Sequence, residues 1–211
     1  MNNTLNNFYL NKGKRIFDLI FSLFVIILTF PLFVIIGILI GLQDPRGIFF
    51  AQKRAGKNGK EFCLYKFRTM KKGAEELKNK YISLNEADGP VFKIKNDPRF
   101  INSFSKFLAH SGLDELPNIF NVLKGDLSWV GPRPLPLDEE KKIKAKIRIK
   151  RSSIKPGICS SWIYLGAHNL SFKKWMKLDL EYLKKAYFKK DLEIISKTFK
   201  MIVLFLQSKI L

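Results

Sequence analysis

The sequence predicts an α+β protein, predominantly helical. It is an N-terminal re-entrant membrane helix-hairpin followed by a small cytosolic domain of short strands and surface amphipathic helices. Three observations predict this. Residues 19–42, LIFSLFVIILTFPLFVIIGILIGL, carry no charge. Residues 47–70 alternate like two strands around the turn AGKNGK. From Ser171 onward apolar residues recur at helical spacing with lysines on the other face. The expected division is 1–45 for the tail and membrane helix, and 46–211 for the membrane-associated cytosolic domain.

The tail (1–11) is Asn-rich and carries no pattern. The uncharged run, as a straight helix, would reach roughly 36 Å, enough to cross a bilayer. It is too long for a signal-peptide core, and no small-residue cleavage site follows it. Pro31 lies at its centre and is expected to kink or break it. Lys12, Lys14 and Arg15 precede the run; Arg46, Lys53, Arg54 and Lys57 follow it. Positive charge on both flanks gives no direction for a single span. A hairpin with both ends on the cytoplasmic face satisfies both flanks and is preferred to a span. Thr29 and Ser22 offer hydroxyls to backbone groups freed at the bend.

Beyond the hairpin strands, KKGAEELKNKYISLN (71–85) reads as a charged helical surface element. Turn signals bracket 86–100, at Asp88-Gly89-Pro90 and Asn96-Asp97-Pro98, with alternation between them. Residues 101–112 predict a helix with Phe104, Phe107 and Leu108 inward. In SGLDELPNIFNVLKGD, Leu116, Ile119, Phe120 and Leu123 form a helical stripe. Proline lacks an N–H and is tolerated only in the first turn, so Pro117 sets the helix start at about residues 113–116. Gly125 suits its C-terminal cap. Asp114 and Glu115 then lie at the positive end of the helix, worth about 0.3–1 kcal/mol each through the dipole.

An extended stretch leads through GPRP. Between Lys141 and Lys155 every charge is positive, which suits either a solvated helix face or anionic lipid headgroups. Residues 154–169 read as a loop, with Trp162 and Tyr164 as stacking or interfacial groups. Two helices follow, with Trp175, Leu178 and Tyr182, then Leu192, Ile195, Phe199 and Val203, on their apolar faces.

The formal charge of +20 points to a polyanionic partner: nucleic acid, anionic lipid or a phosphorylated substrate. No nucleic-acid module accompanies it, and the apolar segment has no place in such a protein, so nucleic acid is not expected as a partner. Cys63 and Cys159 form neither a disulfide framework nor a zinc spacing, and His110 and His168 are isolated. Phosphate-cradling glycine loops and G-x-S-x-G are absent. What remains is the acid pair Asp114-Glu115, the nearby Asp126, and arginines beside prolines: Arg99 after Pro98, and Arg133 between Pro132 and Pro134. Flanking prolines restrict the backbone and so aim the guanidinium, whose fork suits phosphate oxygens. Hard oxygen ligands beside phosphate suggest Mg²⁺, held by Asp114 and Glu115 together with the substrate's own phosphates. The residues therefore point to a membrane-bound enzyme of phosphoryl chemistry, with a carboxylate able to attack phosphorus.

Five blocks in order carry a resemblance: KRIFDLIFS, FFAQKRAGKNGKEFCLYKFRTM, GPVFKIKNDPRF, LDELPNIFNVLKGDLSWVGPRP and KPGI. From about Lys14 to Val203 the chain resembles the bacterial sugar transferase family, the monotopic phosphoglycosyl transferases, in the minimal form without extra N-terminal membrane helices. The resemblance implies that a sugar-1-phosphate moves from a UDP-sugar to a polyprenol phosphate such as undecaprenyl phosphate, with release of UMP. This step starts assembly of an exopolysaccharide, O-antigen, capsule or glycoprotein glycan at the cytoplasmic face of the bacterial inner membrane. It further implies that Asp114 attacks the β-phosphate and carries the phosphosugar. Glu115 would support the metal and orient or deprotonate the acceptor, and Arg133 would bind phosphate. Lys66 and Arg68, in LYKFRTM, and Arg99 complete the candidate substrate-binding set.

The sequence departs from the family in places. Phe30 stands where serine often precedes the membrane-segment proline, and Gly112 where serine often precedes Leu-Asp-Glu. The stretch CSSWIYLGAHN puts histidine or alanine where an arginine is expected near position 168. That divergence leaves a catalytically inactive, membrane-docked scaffold of the same fold as the alternative. The sugar and the oligomeric state are not legible in the sequence.

Overall fold

The computed structural model describes residues 9–44, 47–166 and 169–210. The start of the Asn-rich tail, the flanking Arg46 and the divergent Ala167-His168 lie outside the described residues. A wide helical turn, Tyr9–Gly13, leads into α1, Lys14–Gln43. The expected break at Pro31 does not divide this element: it is helical throughout. Thr29 behaves as an in-helix hydroxyl, donating to the Val25 carbonyl at 2.8 Å. Asp18, Ser22, Val25, Ile36, Gly37 and Ile40 are buried on one face of α1. Its other face exposes Ile20, Phe24, Ile27, Leu28, Ile35, Ile38 and Leu42. It is long and apolar enough to cross a membrane.

The expected hairpin is present. Strands β1, Phe49–Ala55, and β2, Glu61–Phe67, pair antiparallel around a turn in which Asn58 takes a positive φ of 55°. Residues 76–84 form 3-10 turns, and 86–100 run as turns and coil rather than as a strand. Helix α2, Ser103–Ser111, starts on Asn102, whose side chain accepts from the Ser105 N–H, and ends at Gly112 in the left-handed region. Leu108 is buried, with Phe104 and Phe107 packed beside it, as expected.

The following helix is shorter than its apolar stripe predicts. A separate 3-10 turn, Leu113–Glu115, holds the acid pair, and α3 runs Asn118–Lys124 behind Pro117. Pro117 stands just outside the first turn rather than within it, and Phe120 is exposed while Val122 is buried. Gly125 ends α3 with φ 91°, as its position suggested.

Strand β3, Ser128–Val130, is followed by α4, Leu137–Lys141, and α5, Ala145–Arg151. Within the expected loop, the described residues 154–166 include regular elements: β4, Gly157–Cys159, pairs parallel with β3, and α6, Ser161–Tyr164, follows. Both C-terminal helices form, α7, Phe172–Lys184, and α8, Phe188–Ile210. The largest core cluster joins Val25 of α1, Phe62 and Leu64 of β2, Ile119 and Val122 of α3, Trp129 and Val130 of β3, and Ile194 and Ile195 of α8. The site is thus built on elements that share one core.

Candidate active site

Three backbone devices bring distant residues together. The first is Asn121, fully buried in α3. Its amide accepts from the Tyr65 N–H at 3.1 Å and donates to the Cys63 carbonyl at 2.7 Å. It thereby pairs the edge of β2 that β1 leaves free, where a lone amide would otherwise cost about 1–3 kcal/mol. This registers Lys66 against the acid pair. The second is α1. The Asp18 carboxylate accepts from the Ser128 hydroxyl and the Trp129 N–H, each at 3.0 Å, and Trp129 Nε1 donates to Ser22 at 2.9 Å. Arg15 donates to the carbonyls of Val122 and Leu123, closing the C-terminal end of α3. The third is the β3–β4 pair. A Cβ on Gly157 would lie 2.0 Å from the Gly131 nitrogen, so only glycine lets these strands approach. That approach carries the chain directly into Pro132-Arg133-Pro134.

The result is a charged cleft. Lys66 Nζ lies 2.6 Å from Glu115 Oε1 and 3.7 Å from Asp114 Oδ2. Arg133 Nη2 donates to the same Glu115 oxygen at 3.0 Å. Arg133 is held from two further sides. Its guanidinium carbon lies 5.6 Å from the centre of the Trp162 ring, which stacks on Trp175 at 4.3 Å. Its carbonyl accepts from Arg151, which is buried and paired with Glu140 at 2.8 Å and Asp179 at 2.7 Å. Trp162 is therefore a buried support beneath an arginine, not an interfacial group. Arg151 belongs to the interior, while the neighbouring Lys141, Lys142, Lys146 and Lys150 stay exposed.

The two carboxylates are driven apart in acidity. Burial, with the neighbouring Glu115 charge, pushes Asp114 up to about 6 against the pull of Lys66 and Arg133. For Glu115 burial acts upward as well, but Arg133 and Lys66 outweigh it and hold the carboxyl well below the usual range. Glu115 is thus a fixed anion. Asp114 is a more basic carboxylate, still mostly ionised near neutrality. The 3-10 turn, rather than the mouth of a regular helix, presents them. The cations of the cleft, more than a helix dipole, set their charge.

Lys66 and Arg133 are brought to the pair; Arg68 and Arg99 are not. Arg68 donates to the carbonyls of Gly47 and Phe49 and so fixes the entry to β1. Arg99 is buried in a fork with Asp97, 2.6 Å at its closest, and donates to the Ala74 carbonyl. A proline beside an arginine predicted a fixed direction correctly, but not what the arginine faces. Arg54, Asn118, Asn121 and Lys93 were not singled out as site residues. Arg54 and Asn118 line the cleft with Lys66, Glu115 and Arg133. Burial and the Arg133 charge pull Lys93 down to about 8. The one available signal was Asn121, a polar residue between buried apolar positions.

Among the described residues no group of three or more His, Cys, Asp or Glu side chains could hold a metal ion by itself. The donor set does suit Mg²⁺, which takes one or two carboxylates and completes its shell with substrate phosphates and water. Asp114 and Glu115 offer those carboxylates.

A buried Asp114 and a partly buried Glu115 thus lie beneath two basic side chains, in a chain with a long apolar N-terminal helix. The family model for bacterial sugar transferases matches residues 9–205, and the chain belongs to that family. It is 40% identical over 163 residues to a galactosyl transferase, CpsE, of Streptococcus agalactiae, covering 77% of this chain and 36% of that protein. It is 32% identical over 198 residues to an undecaprenyl-phosphate galactose phosphotransferase of Salmonella typhimurium, covering 90% of this chain and 40% of that protein. An exopolysaccharide production protein, ExoY, of Rhizobium meliloti is 32% identical over 197 residues, covering 91% of this chain and 86% of that protein. The chain thus spans well under half the length of the first two relatives and most of the third.

Proposed function

We propose that the protein transfers a sugar-1-phosphate from a UDP-sugar to a polyprenol phosphate, through a phosphosugar carried on Asp114. The observation that carries this reading is the split acid pair: Glu115 clamped as an anion by Lys66 and Arg133, Asp114 left as the more basic carboxylate beside it. The Salmonella relative is named an undecaprenyl-phosphate galactose phosphotransferase, which supports the acceptor class.

In the first step an Asp114 oxygen attacks the β-phosphorus. The bond from that phosphorus to the bridging oxygen breaks, and UMP leaves with the bond's electrons. In the second step a phosphate oxygen of the polyprenol phosphate attacks the same phosphorus, and Asp114 leaves as carboxylate. The products are a polyprenol diphosphate sugar and the free enzyme. Lys66 and Arg133 lie where phosphate oxygens gain negative charge, and their preorganised donors cost no rearrangement at that moment. Mg²⁺, when held by Asp114 and Glu115, would neutralise diphosphate charge.

The membrane arrangement supports the same reading. Helix α1 is tied to the domain near its start, by Arg15 and Asp18, and near its end, where Ile36 and Ile40 pack with Phe67 and Leu108. A helix bound at both ends to one charged domain keeps both ends on one side of the bilayer. Its exposed apolar face then enters the lipid without crossing. With lysine flanks, that side is the cytoplasmic face of the inner membrane.

The test is a panel of UDP-sugars with undecaprenyl phosphate and Mg²⁺ in lipid nanodiscs, read by UMP release. One sugar should support turnover. Asp114→Asn should reduce it by roughly 10³-fold or more while the protein still folds. Silence across the whole panel would favour an inactive scaffold, and full activity of the variant would remove Asp114 as nucleophile.

A further inference from the structure

The cleft contains two polar atoms that the fold leaves unsatisfied. Asn118 follows Pro117 at the start of α3 and is 2% exposed, yet its Oδ1 has no hydrogen-bond partner among the described residues. Arg54 Nε, on β1, is likewise buried and unpartnered. The rest of the Arg54 guanidinium is anchored: Nη1 donates to the Pro134 carbonyl at 3.2 Å, and Nη2 to Gln52. Among the described residues no carboxylate forms an ion pair with Arg54: burial and the Arg133 guanidinium disfavour its charge, while Glu139, Glu115 and Glu75 favour it without touching it. Leaving a buried acceptor without a donor, or a buried guanidinium N–H without an acceptor, is costly. A fold gains nothing from either arrangement. Both residues line the space that Lys66, Glu115 and Arg133 also line. That space measures only about 10 Å³, room for single atoms of a ligand lying across its mouth.

We propose that Arg54 and Asn118 form a donor subsite, in which Arg54 Nε donates to a diphosphate oxygen and Asn118 Oδ1 accepts from a hydroxyl or amide N–H of the attached sugar. This assignment rests on the transferase reading above. Its logic is one of chemical partners. Ionised phosphates only accept, so they satisfy Arg54 Nε and cannot satisfy Asn118 Oδ1, which needs a donor. The sugar bears the nearest donors to the reacting phosphorus. Asn118 opens α3 three residues after Glu115, which ends the 3-10 turn, so both present side chains to one cleft. Asn118 is then a determinant of which sugar is accepted, and the stability it forgoes is the familiar cost of a built site.

The experiment uses the full chain in nanodiscs, with the UDP-sugar that the wild type turns over and with UDP as a binding probe. Asn118→Ala should raise KM for the UDP-sugar about five- to tenfold, leave the Kd of UDP within twofold, and not lower Tm, because no bond is lost. Arg54→Gln should weaken UDP and UDP-sugar together, about tenfold or more. An unchanged KM in Asn118→Ala, or an equal loss of UDP binding, would overturn the sugar contact. A fall in Tm of several degrees with unchanged KM would make Asn118 structural, which also overturns it. Should Arg54→Gln not fold, Arg54→Lys replaces it: it keeps the charge but lacks Nε, and unchanged UDP binding there would overturn the phosphate contact. A wild type that turns over no UDP-sugar is a failure of the transferase reading instead, and is seen before any variant is made.

Discussion

Replacing Asp18 with alanine tests how the apolar helix is coupled to the catalytic segment. Asp18 lies inside α1, is 2% exposed, and accepts two bonds through one oxygen, Oδ1, from Ser128 Oγ and from the Trp129 backbone, each at 3.0 Å. Alanine leaves both donors buried without an acceptor. At about 1–3 kcal/mol for each orphaned donor, the expected loss is roughly 2–6 kcal/mol. A domain of this size loses about 2–4 °C of Tm per kcal/mol, so the midpoint should drop by roughly 4–24 °C. Asparagine keeps an oxygen where Oδ1 stands, so Asp18→Asn should cost less than half as much. The assay is thermal unfolding in nanodiscs, followed by tryptophan fluorescence, with UMP release measured well below the midpoint. Because Trp129 and Val130 lead into Gly131-Pro132-Arg133, the alanine variant should lose turnover even where it is folded. Equal effects of asparagine and alanine would refute the hydrogen-bond argument and leave the carboxylate charge as the cause. An unchanged Tm in both would refute the coupling itself.

Other expectations follow from single contacts. Gly157→Ala should fold poorly or not at all, since its Cβ would stand 2.0 Å from the Gly131 nitrogen and backbone cannot yield as a side chain does; expression and far-UV circular dichroism check this. Cys63 is exposed, whereas burial pushes Cys159 up to about 12, so a thiol reagent at pH 8 should modify one cysteine in the folded protein and two after denaturation. Burial and Arg133 bring Lys93 down to about 8. At pH 8 it should therefore be acylated readily, and Arg133→Gln should slow that labelling, read by peptide mass mapping.

Much of the architecture is legible locally. The uncharged run, the alternation around AGKNGK, the cap residues Asn102, Gly112 and Gly125, and the amphipathic C-terminal helices all follow from short-range pattern, because each depends on backbone geometry within a few residues. The adjacency of Asp114 and Glu115 ahead of Pro117 is legible too, because it is a matter of chain order alone. What failed were inferences about direction. Arg99 and Arg133 share the same proline-flanked signature, yet one is spent on Asp97 and the other reaches Glu115. Phe120 fits the apolar stripe and is exposed, because the face α3 buries is that of Asn118, Ile119, Asn121 and Val122.

By itself the sequence determined the order of elements, the membrane-seeking helix and the two carboxylates available for chemistry. Tertiary structure alone decided which cations meet those carboxylates. Lys66 lies 49 residues from Glu115 along the chain, and Arg133 lies 18 away. Their convergence depends on Asn121 pairing a strand edge, on two glycines letting strands touch, and on Asp18 holding β3 against α1. A pattern in sequence records which groups are near along the chain; the acidity of Asp114 and Glu115 depends on groups near in space, because Coulomb attraction and desolvation act through distance and burial and not through chain order.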